Sequence, residues 1–148
     1  IVIEEEIEIE DADTDEEEII EIIEEEEEEE LFNFAVVEQQ PIFPGCSENA
    51  SKDENYICFQ RGIGSHIKEN FEYPAIAKEM GISEKIFVEF VIDKTGLVTS
   101  ARVVRGDDRH LTQEALRLVN SIPKMTPAKQ RGKAVAVTFT LPINFSLQ

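Results

Sequence analysis

The spacing of apolar residues changes character several times along the chain. Phe59, Ile63, Ile67 and Phe71 recur every four residues, which predicts a helix with one apolar face. It should end before Tyr73-Pro74, because a residue preceding proline avoids helical geometry. Pro74 suits the first position of a second, short helix through Ala75, Ile76 and Ala77, with Gly81 as its left-handed terminator. From Lys85 the period drops to two: Ile86, Val88, Phe90 and Ile92 face one way, and Lys85, Phe87, Glu89, Val91 and Asp93 the other. Asp93-Lys94-Thr95-Gly96 supplies a tight turn, and Leu97 to Val104 returns as a second strand rich in β-branched residues.

After Arg105-Gly106-Asp107-Asp108, where an aspartate can cap, Leu111, Ala115, Leu118, Val119 and Ile122 share one helical face until Pro123 stops the pattern. This helix is expected to cover the sheet. From Ala134 to Phe145, Val135, Val137, Phe139, Leu141, Ile143 and Phe145 alternate with Ala136, Thr138, Thr140, Pro142 and Asn144, which predicts a third long strand. Pro142 has no N–H to donate, so one side of that strand is expected to be unpaired, as at a sheet edge.

Upstream the pattern is weaker. Pro41-Ile42-Phe43-Pro44-Gly45 reads as an extended segment and a turn, and Ser47 to Asn55 as an irregular polar loop. The expected organisation is a disordered linker over 1–35, an extended segment and loop over 36–55, and a domain over 56–148.

Charge sharpens this division. The chain of 148 residues carries a formal charge of -18, yet 19 of its 32 acidic residues lie in positions 1–30, with no lysine or arginine among them. What remains, 13 acidic against 14 basic residues, is close to neutral. Glu24 to Glu30 form an unbroken acidic run, and such a segment repels itself and lacks the apolar surface to offset its ordering entropy. A solvated spacer is the expectation, with binding of cations or of a basic partner as the sharper alternative. Nothing approaches the roughly 20 apolar residues of a membrane span. Ile1 reads as a cut end, so location must come from elsewhere.

Cys46 and Cys58 are the only cysteines and flank the polar loop. A bridge across it would contribute up to about 3 kcal/mol and imply an oxidising compartment; two unrelated thiols are the alternative. Without CxxC or a Cys/His cluster, neither a redox motif nor a zinc site is supported. His66 and His110 fall on different elements and read as surface residues. No serine sits in a Gly-x-Ser-x-Gly elbow, and Gly62-x-Gly64 lies in a helical pattern with no preceding strand, so neither covalent catalysis nor a phosphate loop is indicated. An enzyme is not expected, nor a cofactor. Lys124, Lys129, Arg131 and Lys133 cluster before the last strand; the choice lies between a solvated patch and electrostatic guidance of a peptide toward that strand's edge.

Read in order, Tyr73-Pro74-x-x-Ala77, Asp93-Lys94-Thr95-Gly96-Leu97-Val98, Val103-Val104-Arg105-Gly106, Glu114-Ala115-Leu116-Arg117, Pro123 to Lys133, and Phe139-Thr140-Leu141-Pro142-Ile143 resemble the TonB C-terminal domain in the form typical of Bacteroidetes-type energy transducers. The resemblance implies an α+β fold, a three-stranded antiparallel sheet with two helices packed on one face. It also implies that the TonB box of an outer-membrane receptor adds as a strand beside Ala134, Val135, Ala136, Val137, Thr138, Phe139, Thr140 and Leu141, with Tyr73 and Pro74 near that contact. Such proteins are anchored in the inner membrane by an upstream helix that associates with ExbB and ExbD. They work in the periplasm, transmitting force derived from the proton gradient for uptake of siderophores, vitamins or glycans. An open edge also leaves room for a homodimer. A periplasmic sensing or interaction domain built on the same fold is the alternative. Three positions depart from the family pattern: Glu84 where glycine is common, Met125 where an aromatic is frequent, and Ala128 where glycine often follows the proline.

Overall fold

The computed structural model describes residues 30–147; of the expected acidic linker over 1–35, positions 1–29 lie outside the described residues. In chain order the elements are β1 (Leu31–Asn33), α1 (Lys52–Asn70), α2 (Ala75–Glu79), β2 (Glu84–Ile92), β3 (Val98–Arg105), α3 (Arg109–Asn120), β4 (Ala128–Gln130) and β5 (Lys133–Phe145). The strands run β1-β5-β2-β3, with β4 also paired to β5. β2 and β5 are antiparallel in unbroken register from Glu84 opposite Phe145 to Ile92 opposite Val137.

The period-two reading of β2 holds: Ile86, Val88, Phe90 and Ile92 are all fully buried. Phe59 and Ile63 of α1, Leu111, Ala115, Leu118 and Val119 of α3, and Val137, Ile143 and Phe145 of β5 join them in one core. Each of the larger ones, the Val, Leu, Ile and Phe side chains, contributes about 1.5–3 kcal/mol over its exposed state, which is why these spacings dictate the layers.

Local signals set the element ends. Asp108 caps α3, its Oδ2 accepting the N–H of Leu111 at 2.9 Å. In the β2–β3 turn, Asp93 Oδ1 accepts from the Thr95 N–H, the Thr95 hydroxyl and the Leu97 N–H at 2.9, 2.6 and 3.1 Å. Gly96 adopts φ +94° there, and a side chain at this position would collide with the Met125 carbonyl. The Met125 N–H in turn donates to the Gly96 carbonyl at 2.9 Å, so Met125, buried in the core, ties the segment before β4 to this turn. Glu84 accepts the N–H groups of Asp107 and Asp108 at 2.6 and 3.0 Å and so fixes the approach to α3.

Three expectations are corrected. The sheet has five strands, because β1 and β4 join the expected three. Leu31–Asn33, assigned to the linker, forms β1: Phe34, just beyond it, is 4% exposed, and Phe32 packs against the core, so the apolar residues following the acidic run have somewhere to go. The loop ascribed to 47–55 gives way to helix at Lys52, ahead of the expected domain start at 56. Ser51 Oγ accepts the Glu54 N–H and Glu54 Oε1 accepts the Ser51 N–H, both at 3.1 Å, a reciprocal cap that starts α1. Cys46 and Cys58 are bridged, with Cα atoms 6.0 Å apart, which fastens α1 to the loop before it.

Candidate functional site: the outer edge of the last strand

Strand β5 has two sides. On the inner side it faces β2. On the outer side β1 runs parallel to it, with Leu31, Phe32 and Asn33 opposite Ala136, Val137 and Thr138. The Phe34 N–H donates to the Thr138 carbonyl at 3.1 Å, so the backbone groups of Thr138 point outward. Strand alternation then points those of Thr140, Pro142 and Asn144 outward as well. Among the described residues, no strand pairs with β5 on that side beyond Thr138. Thr140 and Asn144 therefore each present an N–H and a carbonyl, and Pro142 a carbonyl alone. Proline sits where, among the described residues, no strand would use a donor, as the unpaired side required.

The expected edge, Ala134 to Leu141, is thus corrected in extent. β5 is an inner strand over 136–138, because β1 covers it there, and the open stretch starts at Thr140. At its beginning β5 pairs with β4 through a two-residue turn at Arg131 and Gly132, whose φ angles of 57° and 78° match the twist of a tight hairpin. Lys129, Arg131 and Lys133 are exposed on that hairpin, and Lys124 precedes it. Lys133 lies roughly 23 Å along the strand from Thr140 at 3.3 Å per residue. The basic cluster and the open edge are therefore at opposite ends of β5.

Tyr73 lies near the other end. Its hydroxyl donates to the Ile82 carbonyl, and its ring stands perpendicular to Phe145 at 6.1 Å. Phe71 completes a triangle of rings with them, edge-on to Tyr73 at 5.8 Å and tilted against Phe145 at 5.3 Å. Tyr73-Pro74 thus meets β5 at Phe145, past the 134–141 stretch. His66 Nε2 is 2.8 Å from Ser121 Oγ, joining α1 to the end of α3, and His110 borders a shallow hollow beside Tyr73 and Pro74. Among the described residues no group of His, Cys, Asp or Glu is placed to hold a metal ion, and no helix is long and apolar enough to cross a membrane.

A groove of about 600 Å³ runs between the open edge and α1, with residues 139–144 on one wall and Tyr56, Gln60, Gly64 and Lys68 on the other. Its near end is closed by Phe34, whose ring lies 4.6 Å from Phe59, 4.9 Å from Phe139 and 5.8 Å from Tyr56. A second hollow, about 540 Å³, opens on the far side of Phe34. Sequence reasoning missed the contribution of α1 and Phe34. The available signal was Phe32-Asn33-Phe34, an alternation too short to stand out beside the acidic run.

These elements define an α+β domain with a mixed sheet whose last strand is open over its final third. The chain belongs to the TonB C-terminal family: the family model described as the Gram-negative bacterial TonB protein C-terminal matches residues 69–147. β1, the disulfide and most of α1 precede the matched stretch. The fold is similar to the solution structure of the Helicobacter pylori TonB C-terminal domain, at 25% identity and a TM-score of 0.50 over 68% of this chain and 87% of that one. The Pseudomonas aeruginosa TonB C-terminal domain aligns at 24% identity and a TM-score of 0.44, over 52% of this chain and 78% of that one. No curated protein matches the chain.

Proposed function

We propose that the chain is the receptor-capturing end of a TonB-type energy transducer, holding the TonB box of an outer-membrane receptor as an added strand on β5. The observation that carries this is the row of outward backbone groups at Thr140, Pro142 and Asn144 beside an apolar groove. A strand addition needs unpaired main-chain groups for affinity and a flanking surface for side-chain selection, and both are present. The family membership and the Cys46–Cys58 bridge, at home in an oxidising compartment, support work in the periplasm. In this reading ExbB and ExbD act on a membrane helix upstream, and the work is mechanical, with no chemical step assigned to any side chain.

The test is an NMR titration of the chain with TonB-box peptides from a panel of receptors. Amide shifts at Thr140, Leu141 and Asn144 and along the facing side of α1 are the expected result. A folded protein whose β5 amides stay unmoved by the whole panel would reject peptide capture at this edge.

A further inference from the structure

Helix α1 contains two glycines, and they differ in their surroundings. Gly62 faces the ring of Phe43, which occupies the space a Cβ would need, so packing accounts for it. Gly64 has no heavy atom within 4 Å of its Cβ position, is exposed, and lies well inside a helix of 19 residues. Glycine weakens a helix relative to alanine, and here no contact compensates. Gly64 does, however, form part of the α1 wall of the groove, facing the open edge at Thr140 to Asn144.

Two further observations bear on what fits there. The groove continues the line of β1, which already runs parallel to β5 and ends at Phe34 where the groove begins. Among the described residues Lys68 is the one charged side chain lining the groove, and none of them is seen to pair with it. It sits toward the far end, near Phe71 and Asn144, since α1 follows β5 from the Tyr56–Phe139 end to the Phe71–Phe145 end.

We infer that this groove takes an extended peptide from a partner protein, running in line with β1, with apolar side chains turned toward α1 and an acidic residue in its C-terminal part facing Lys68; Gly64 sets the width that admits it. The inference rests on the strand-capture reading above and adds to it the direction, the charge and the residue that selects by size. The open edge supplies the backbone groups a strand needs, β1 supplies the direction, and Lys68, exposed on the groove wall, supplies a charge that an acidic side chain can pair with. At Gly64 a larger side chain would fill the space that the peptide's own apolar side chains are to occupy.

The test uses the full chain and a synthetic nine-residue peptide alternating valine and threonine, with one glutamate near its C-terminus, together with a version carrying lysine in place of that glutamate. Binding is followed by amide shifts and calorimetry. Gly64→Phe is expected to weaken binding at least tenfold. Ser65→Phe, at the exposed neighbouring position of α1 outside the groove lining, should bind as the parent does, which separates filling the groove from placing a bulky side chain on the helix. Lys68→Glu should lose the glutamate peptide and favour the lysine peptide.

If the peptide binds β5 and Gly64→Phe binds equally well, the width assignment is overturned while peptide capture stands. If binding instead shifts the amides of Leu31 to Phe34 as those of a released segment, the peptide replaces β1, and the groove proposal falls in favour of strand exchange. If neither this peptide nor any of the TonB-box panel moves β5 in the folded parent, both readings fail together.

Discussion

Arg117 grips both carboxylate oxygens of Glu114, its Nε at 2.7 Å from one and a terminal nitrogen at 2.6 Å from the other. Glu114 also accepts the Glu72 N–H at 2.9 Å, and Arg117 reaches the Asn70 carbonyl at 2.8 Å. The pair therefore clamps the chain leaving α1, just before Tyr73, onto α3. Glu114 is nearly buried and Arg117 about half exposed. Replacing Arg117 with alanine leaves a buried carboxylate short of donors, and an unsatisfied buried acceptor costs about 1–3 kcal/mol. A urea midpoint lowered accordingly, with unchanged slope, is the expected outcome; an unmoved midpoint would show the clamp contributes nothing.

The Cys46–Cys58 bridge closes a loop of separation 12 ahead of the helix that walls the groove. On the chain-entropy account such a cross-link contributes about 3 kcal/mol. Calorimetry with and without reductant should show a fall in melting temperature on reduction, and Cys46→Ser/Cys58→Ser should match the reduced parent. Equal melting temperatures in all states would refute a stabilising role.

Asp93 carries a pH signature. Burial raises its pKa, but hydrogen bonds from the Thr95 hydroxyl and the N–H groups of Thr95, Leu97 and Gly96 outweigh it and hold the carboxyl below its ordinary value. A depressed folded-state pKa means that the charged form favours the fold. This contribution is complete above the unfolded value of about 3.9 and is lost as pH falls through the folded one. The stability difference between the parent and Asp93→Asn should thus be constant between pH 7 and 5 and shrink below about pH 4. Thermal melts across that range decide it; a gap that widens on acidification would be the wrong sign.

Thr140→Pro tests the open edge directly. The substitution removes an outward N–H that no strand among the described residues uses, so the melting temperature should fall by only a few degrees while peptide affinity drops several-fold. The same change at Thr138, whose backbone faces β1, should instead loosen β1. Comparing the two by calorimetry separates them, and unchanged peptide affinity in a folded Thr140→Pro chain would remove that donor from the interaction.

Most of the framework was legible because long, regular spacings are hard to produce by any other arrangement. Ile86 to Ile92 and Val135 to Phe145 alternate over enough residues to define strands, and Leu111 to Val119 could only be one helical face. β1 and β4 escaped because three residues make no period; tertiary partners decide them, and β5 lies far away in sequence. The cap at Ser51 and Glu54 was visible as a Ser-x-x-Glu spacing, but the polar run around it reads equally well as loop. For the site, the unpaired side at Pro142 was readable from chemistry alone, since proline has no donor to give. Its extent was not, because how far β1 reaches along β5 depends on where Phe34 finds a cavity between α1 and Phe139.

The parallel course of β1 alongside β5 has a mechanical corollary. Tension entering from upstream of Leu31 and resisted by a peptide held at Thr140 to Asn144 would act along the strand axis, in opposite directions on the two strands. The short β1–β5 ladder would then be loaded in shear, its bonds sharing the force instead of opening one after another. The Phe34 ring, lodged beside Phe139, would serve as the detent that must slip before that ladder yields.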